Sequence, residues 1–183
     1  TNKDEMTMNS DKNAYFLSLP EITELSVPPK TILLEEGKVA DRMYLIGKVA
    51  APVFNNEGRD ITFQFFFEGD FVASFDSLYQ RTPSLFSLES IEPAELSVMK
   101  REDFFRNLGQ KPALRQIYEE KIIERFHVYQ RLFLSRIKNT PQQRYEELLK
   151  EHPSIIQRIP QHYIASYLGI TSVSLSRSET GDS

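Results

Sequence analysis

The sequence contains no cysteine. That excludes disulfides, cysteine-ligated zinc and iron–sulfur clusters, and it suits a reducing cytoplasm. Histidine is nearly as scarce. His127, His152 and His162 are scattered along the chain and read as surface or helix-packing residues rather than haem ligands. No apolar run approaches the roughly 18 residues of a membrane helix, and the N-terminus has no signal-peptide core. A cytoplasmic location without a membrane partner is therefore expected. A Gly-rich phosphate loop, a nucleophile elbow and a clustered metal-ligand set are all missing. The paired acids Glu119-Glu120 and Glu146-Glu147 are adjacent on helical stretches, so they point in different directions and read as solvated faces. Neither enzymatic activity nor a metal site is expected.

What is present fits a packed protein rather than a disordered one. The 183 residues are 40% hydrophobic and 11% aromatic, enough for one full domain and a smaller second one. The net charge of −4 is unevenly spread. Residues 1–120 hold 13 basic and 20 acidic residues, net −7, whereas residues 121–183 hold 9 and 6, net +3. The acidic part and the mildly basic part divide along one long stretch, which permits nucleic-acid binding at the C-terminal end.

That stretch is Lys111–Lys138, which has no glycine and carries its one proline, Pro112, where a helix start tolerates it. Tyr118, Ile122, Phe126, Tyr129, Phe133 and Ile137 recur in steps of three and four and keep one face apolar. Leu114, Ile117, Ile123, Val128, Leu132 and Leu134 lie off that stripe, so more than one face needs cover. The chain's own domain can bury one face and a second copy another. We expect a homodimer interface that includes Tyr118, Ile122, Phe126, Tyr129 and Phe133.

Before this helix the pattern is β. Residues 1–12 read as a loose end, and Asn13–Leu19 as a short helix stopped by Pro20. Short strand-like runs follow at Lys30–Leu34, Met43–Ile46, Val49–Phe54, Asp60–Phe67, Ser84–Ile91 and Glu95–Met99, with a turn at Asn55–Gly58. In Asp60–Phe67 the residues Ile61, Phe63, Phe65 and Phe67 alternate with Thr62, Gln64 and Phe66, and the Phe run is expected to be barrel core. Such spacing predicts a small antiparallel barrel or jelly roll, giving an α+β protein. Arg101–Asn107 reads as a short helix closing it. After the long helix, Thr140-Pro141-Gln142-Gln143 is a capping box that opens a helix to about Lys150.

Residues 161–177, QHYIASYLGITSVSLSR, have helix-turn-helix spacing. Ala165 is small enough for a second helix to cross closely, and Gly169 can supply the positive φ of the turn. Ile164, Leu168, Ile170 and Leu175 fall where the two helices share a core. Thr171 can cap the second helix, which then exposes Ser172, Val173, Ser176 and Arg177 to a major groove.

In this order, barrel, long helix, short helix and helix-turn-helix resemble the Crp/Fnr transcription regulators built on a cyclic-nucleotide-binding domain. The resemblance covers about residues 13–178 and is firmest at LLEEGKVADRMYLI, EGDFVASF and IASYLGITSVSLSR. It implies a barrel sensor at 1–110, a dimerisation helix at 111–138 and a truncated winged-helix DNA-binding domain at 139–183. Ser172, Val173 and Arg177 occupy positions that read base edges, with Arg177 suited to guanine. Gln161, Thr171 and Ser176 fall where phosphates are contacted. The resemblance also implies double-stranded DNA, a second copy of the chain and RNA polymerase as partners. Two departures stand out. Ser178 replaces the expected apolar residue, which predicts fraying of the second helix, and SETGDS is too short for the family's hairpin wing.

Cyclic-AMP-binding members carry a glutamate for the ribose and an Arg-Ser pair for the cyclic phosphate. Aligned from Gly69, those positions are Ser74, Ser84 and Leu85, so cyclic AMP binding in the usual mode is not expected. A pocket for another small-molecule effector would be lined by Val72, Ser74, Phe75, Asp76, Ser84 and Phe86, with Tyr129 and Gln130 of the long helix above it. The alternative is a ligand-binding or protein-interaction module that no longer reads DNA.

Overall fold

The computed structural model of the chain describes residues 2–48, 52–55 and 61–180. The elements run α1 (Asn2–Leu17), β1 (Thr23–Val27), β2 (Ile32–Leu34), β3 (Arg42–Lys48), β4 (Pro52–Asn55), β5 (Phe71–Val72), α2 (Phe75–Gln80), β6 (Ser87–Ser90), β7 (Ala94–Lys100), α3 (Arg101–Gln110), α4 (Pro112–Lys138), α5 (Pro141–Glu151), α6 (Ile155–Arg158), α7 (Gln161–Leu168) and α8 (Ser172–Thr180). The strands form two antiparallel sheets, ordered β1-β7-β3-β5 and β2-β6-β4.

The four-stranded sheet is covered on both sides at β3, which explains why Met43–Ile46 do not alternate with polar residues. In β3, Tyr44 and Ile46 face the barrel interior with Leu88, Leu96 and Val98. Met43 and Leu45 face the opposite side, against Phe16, Phe104, Leu108 and Leu114 of the helices. Gly47 lies inside β3 rather than after it, at a register shift against β7. A Cβ there would come within 3.2 Å of the Glu95 carbonyl oxygen, so the strands approach closely at that point.

The sequence-predicted helix starts are met by their expected chemistry. Pro112 occupies the first turn of α4, and α4 ends at Lys138. At α5 the Thr140 hydroxyl accepts from the Gln143 N–H at 3.2 Å, and the Gln143 side chain accepts from the Thr140 N–H at 2.9 Å.

Three expectations need correction. The N-terminal residues are not loose in backbone terms, because α1 extends from Asn2 to Leu17. Residues 61–67 are not a strand of either sheet, and the Phe run is not a single barrel core. Phe66 enters the barrel with Val72 and Leu96, whereas Phe65 and Phe67 enter a separate core with Tyr145, Leu148, Ile155 and Leu168 of the C-terminal helices. This segment is therefore a strap that serves two cores, and both of its faces are aromatic for that reason. Finally, the helical backbone of α8 runs to Thr180, two residues past Ser178. Residues 49–51 of the expected Val49–Phe54 strand, residues 56–58 of the turn, Asp60, and the last three residues of SETGDS lie outside the described residues.

Candidate functional site

The expected helix-turn-helix is built from α7, a left-handed turn and α8. Gly169 has φ +70°, and the turn is closed by Gly169 N–H donating to Ser166 O at 3.1 Å and Ile170 N–H to Ala165 O at 3.0 Å. These are the two bonds of a Schellman end, which requires the positive φ that glycine adopts without strain. Thr171 then caps α8, its hydroxyl accepting from the Ser174 N–H at 3.2 Å. Ile164, Ala165, Leu168 and Leu175 are buried together, and Ile170 packs against them. The same helix that buries Leu175 completely leaves Val173 65% exposed. Ser172, Ser176 and Arg177 lie on that exposed side, and Gln161 and Thr171 are exposed at the helix starts.

Helix α4 has two apolar sides. Tyr118 and Ile122, expected in the pairing stripe, turn to the chain's own barrel. The Tyr118 ring meets Phe104 edge-on at 5.4 Å, and Ile122 shares an apolar cleft with Phe16, Met43 and Phe71. The side left open carries Ile123, Phe126, Phe133 and Ile137, which are 57–66% exposed, with Tyr129 and Leu134 beside them. Ile123, Phe126, Gln130, Phe133 and Ile137 are spaced three, four, three and four residues apart. That average of 3.5 is the repeat of a two-stranded coil, with one polar position at Gln130.

The expected effector residues do not converge on one open space. Val72, Ser74 and Ser84 are buried. Ser84 Oγ lies 2.9 Å from Ser74 Oγ and 2.7 Å from the Phe86 carbonyl oxygen, so these hydroxyls satisfy one another. The Phe86 ring packs edge-on against Phe63 at 5.4 Å. Phe75 is half-buried toward the helical side of the barrel. Asp76 is exposed in the first turn of α2. Tyr129 and Gln130 are exposed on α4. Arg81, the nearest arginine in sequence, ends α2 in a left-handed conformation with its side chain in solvent, and Leu85 is 75% exposed.

The polar cluster that sequence reasoning missed lies where the strap meets the C-terminal helices. Arg158 reaches both Glu68 and Glu92, at 2.7 and 3.1 Å. His152 stacks on Phe67 at 3.9 Å, and burial holds its imidazole below the usual value. Asp70 accepts from the Phe67 N–H at 2.9 Å, and burial pushes its carboxyl above the usual range. Arg136 of α4 donates to the Phe63 carbonyl at 3.0 Å and lies over the Tyr167 ring of α7. The Thr62 N–H donates to Ser166 Oγ at 2.8 Å. The available signal was the strap's aromatic residues on both faces, which demand two partners. Among the described residues no group of His, Asp and Glu is placed to hold a metal, and no helix is long and apolar enough to cross a membrane.

Residues 24–111 match the cyclic nucleotide-binding domain family. No curated protein sequence matches the chain. Solved structures do. The c-di-GMP responsive global regulator CLP of Xanthomonas campestris superposes with a TM-score of 0.73 at 14% identity, over 94% of this chain and 90% of that one. FixK2 of Bradyrhizobium japonicum gives 0.72 at 19% identity, over 87% and 83%. The catabolite activator protein of Thermus thermophilus gives 0.57 at 18%, over 93% and 82%. The chain thus has the fold of these solved proteins, and its residues 24–111 match the cyclic nucleotide-binding domain.

Proposed function

We propose that this chain is an effector-responsive transcription regulator that pairs through the open side of α4 and reads double-stranded DNA with α8. The observation that carries the reading is the division of α8, in which Leu175 is fully buried while Val173 and its neighbours Ser172, Ser176 and Arg177 face outward. A helix whose one face is locked to α7, and whose other face offers small polar groups and an arginine, fits a major groove. Two copies related by a two-fold axis would enter successive grooves about 34 Å apart. Gln161 and Thr171 would meet phosphates. RNA polymerase is a further proposed partner, by analogy of fold alone. The effector is not cyclic AMP in the usual mode, because Ser74 and Ser84 occupy the barrel site without a cation. The switch would be a change in the angle of the paired α4 helices that alters reader spacing.

The test is selection of genomic DNA fragments by the purified dimer across a salt series. A two-fold symmetric site should be enriched, with affinity falling steeply as salt rises. Arg177→Ala should relax discrimination at one base pair per half-site by about 1–3 kcal/mol. Absence of binding by a folded, dimeric sample would sink the DNA reading and leave a ligand-binding or protein-interaction module.

A further inference from the structure

The strap is not a strand of either sheet, so its buried backbone groups need partners from elsewhere. At its start those partners come from outside the barrel. Thr62 is only 2% exposed, and its N–H donates to Ser166 Oγ of α7 at 2.8 Å. The Phe63 carbonyl accepts from the Arg136 guanidinium of α4 at 3.0 Å. Arg136 also lies over the Tyr167 ring of α7, 5.7 Å from its centre, and Phe65 meets that ring at 5.3 Å. Arg144 repels the Arg136 guanidinium, which the Phe63 carbonyl and the Tyr167 ring hold in place. Ser166 and Tyr167 belong to the last turn of α7, beside the Gly169 turn that leads into α8. Two successive strap residues are therefore fastened to the end of α7 nearest α8, one directly and one through Arg136.

The same two residues reach the barrel. The Phe63 ring packs edge-on against Phe86 at 5.4 Å, and the Phe86 carbonyl accepts from Ser84 Oγ at 2.7 Å. A displacement of Phe86 thus meets Phe63, whose carbonyl is tied to Arg136 and whose neighbour Thr62 is tied to Ser166. No slack lies between these points, because Thr62 and Phe63 are adjacent in the chain. Parting Thr62 from Ser166 would leave a buried N–H without an acceptor, so the strap and α7 move together rather than separate. Contacts of this kind carry coupling when both ends bias one packed arrangement.

We propose that Thr62 and Phe63 form a mechanical link between the barrel and the helix-turn-helix, through which a change around Phe86 alters how α7 and α8 are held. The link runs inside one chain, whereas a change in α4 pairing needs a second copy. As a signalling route it rests on the proposed barrel sensor. As a mechanical link it is testable without effector or DNA, so its failure is separate from failure of the DNA reading.

The test is amide hydrogen exchange of the full chain, read residue by residue by NMR. Phe86→Leu, at a half-buried ring, should leave the barrel folded and speed exchange of the Thr62 and α7 amides roughly tenfold, while those of β3 and β7 change little. Leu25→Ala trims the same barrel core from the edge strand β1 and should not reproduce this effect. In an Arg136→Gln/Ser166→Ala background both ties are gone, and adding Phe86→Leu should change α7 no further. Three results would each overturn the proposal. One is α7 exchange unmoved by Phe86→Leu. Another is an equal rise from Leu25→Ala, which marks general loosening, and the third is an undiminished effect of Phe86→Leu once both ties are removed.

Discussion

Phe126→Glu should convert the proposed dimer to monomers without unfolding either copy. The ring is 59% exposed on α4, and Ile123, Phe133 and Ile137 flank it at coiled-coil spacing. Taking ~200 Å² for a phenylalanine, about 120 Å² per copy is available for burial on pairing. At ~25 cal/mol per Å² this is about 3 kcal/mol per copy, or ~6 kcal/mol per dimer as an upper value. The glutamates would also face each other near the two-fold axis. The dimer dissociation constant should therefore rise by a factor of about 10² to 10⁴. Light scattering coupled to gel filtration over a concentration series reads this directly, and circular dichroism of the diluted variant checks that the monomer remains helical. Tyr118→Ala is the contrast. That ring packs on Phe104 inside the chain, so its loss should lower the melting temperature rather than dissociate the dimer. A Phe126→Glu protein that stays dimeric at micromolar concentration would remove this side of α4 from the interface.

Other expectations concern the junction and the helix-turn-helix. Arg158→Met strands Glu92, whose side chain is only 12% exposed, and should cost about 1–3 kcal/mol, with the more exposed Glu68 contributing little. A double-mutant cycle with Glu92→Gln should show coupling, and additive effects would discount the ion pair. Asp70→Asn should be more stable than the parent at pH 7. Burial raises the folded carboxyl's pKa, so its stabilising contribution is present at low pH and lost as pH rises through that value, and the advantage of asparagine should shrink on acidification. Thermal melts at a series of pH values measure this, and an advantage independent of pH would refute it. Gly169→Ala should cost about 1 kcal/mol or more because φ is +70° with no clash at the Cβ position, so the penalty is conformational alone. Thr140→Ala should cost ~1 kcal/mol through loss of the capping box, read by the melting temperature.

The sequence by itself determined the elements whose causes are local. Pro112 and the Thr140–Gln143 box mark helix starts because unsatisfied N–H groups at a helix end need a nearby acceptor or no hydrogen at all. Ala165, Gly169, Thr171 and Leu175 mark the helix-turn-helix because a tight turn and its cap are satisfied within a few residues. The missing glutamate and Arg-Ser pair were equally legible. Which side of α4 faces the barrel was not. Tyr118 and Phe126 are both aromatic and lie about two turns apart on one sequence stripe, and only docking against Phe104 separates them. The alternation of 61–67 read as a strand because period-two burial is the same whether a chain pairs with neighbours or merely runs between two cores. Only the tertiary structure sends Phe66 one way and Phe65 and Phe67 the other. The bonds from the Thr62 N–H to Ser166 and from Arg136 to the Phe63 carbonyl belong to the same class, since their partners are 104 and 73 residues apart and no local rule brings them together.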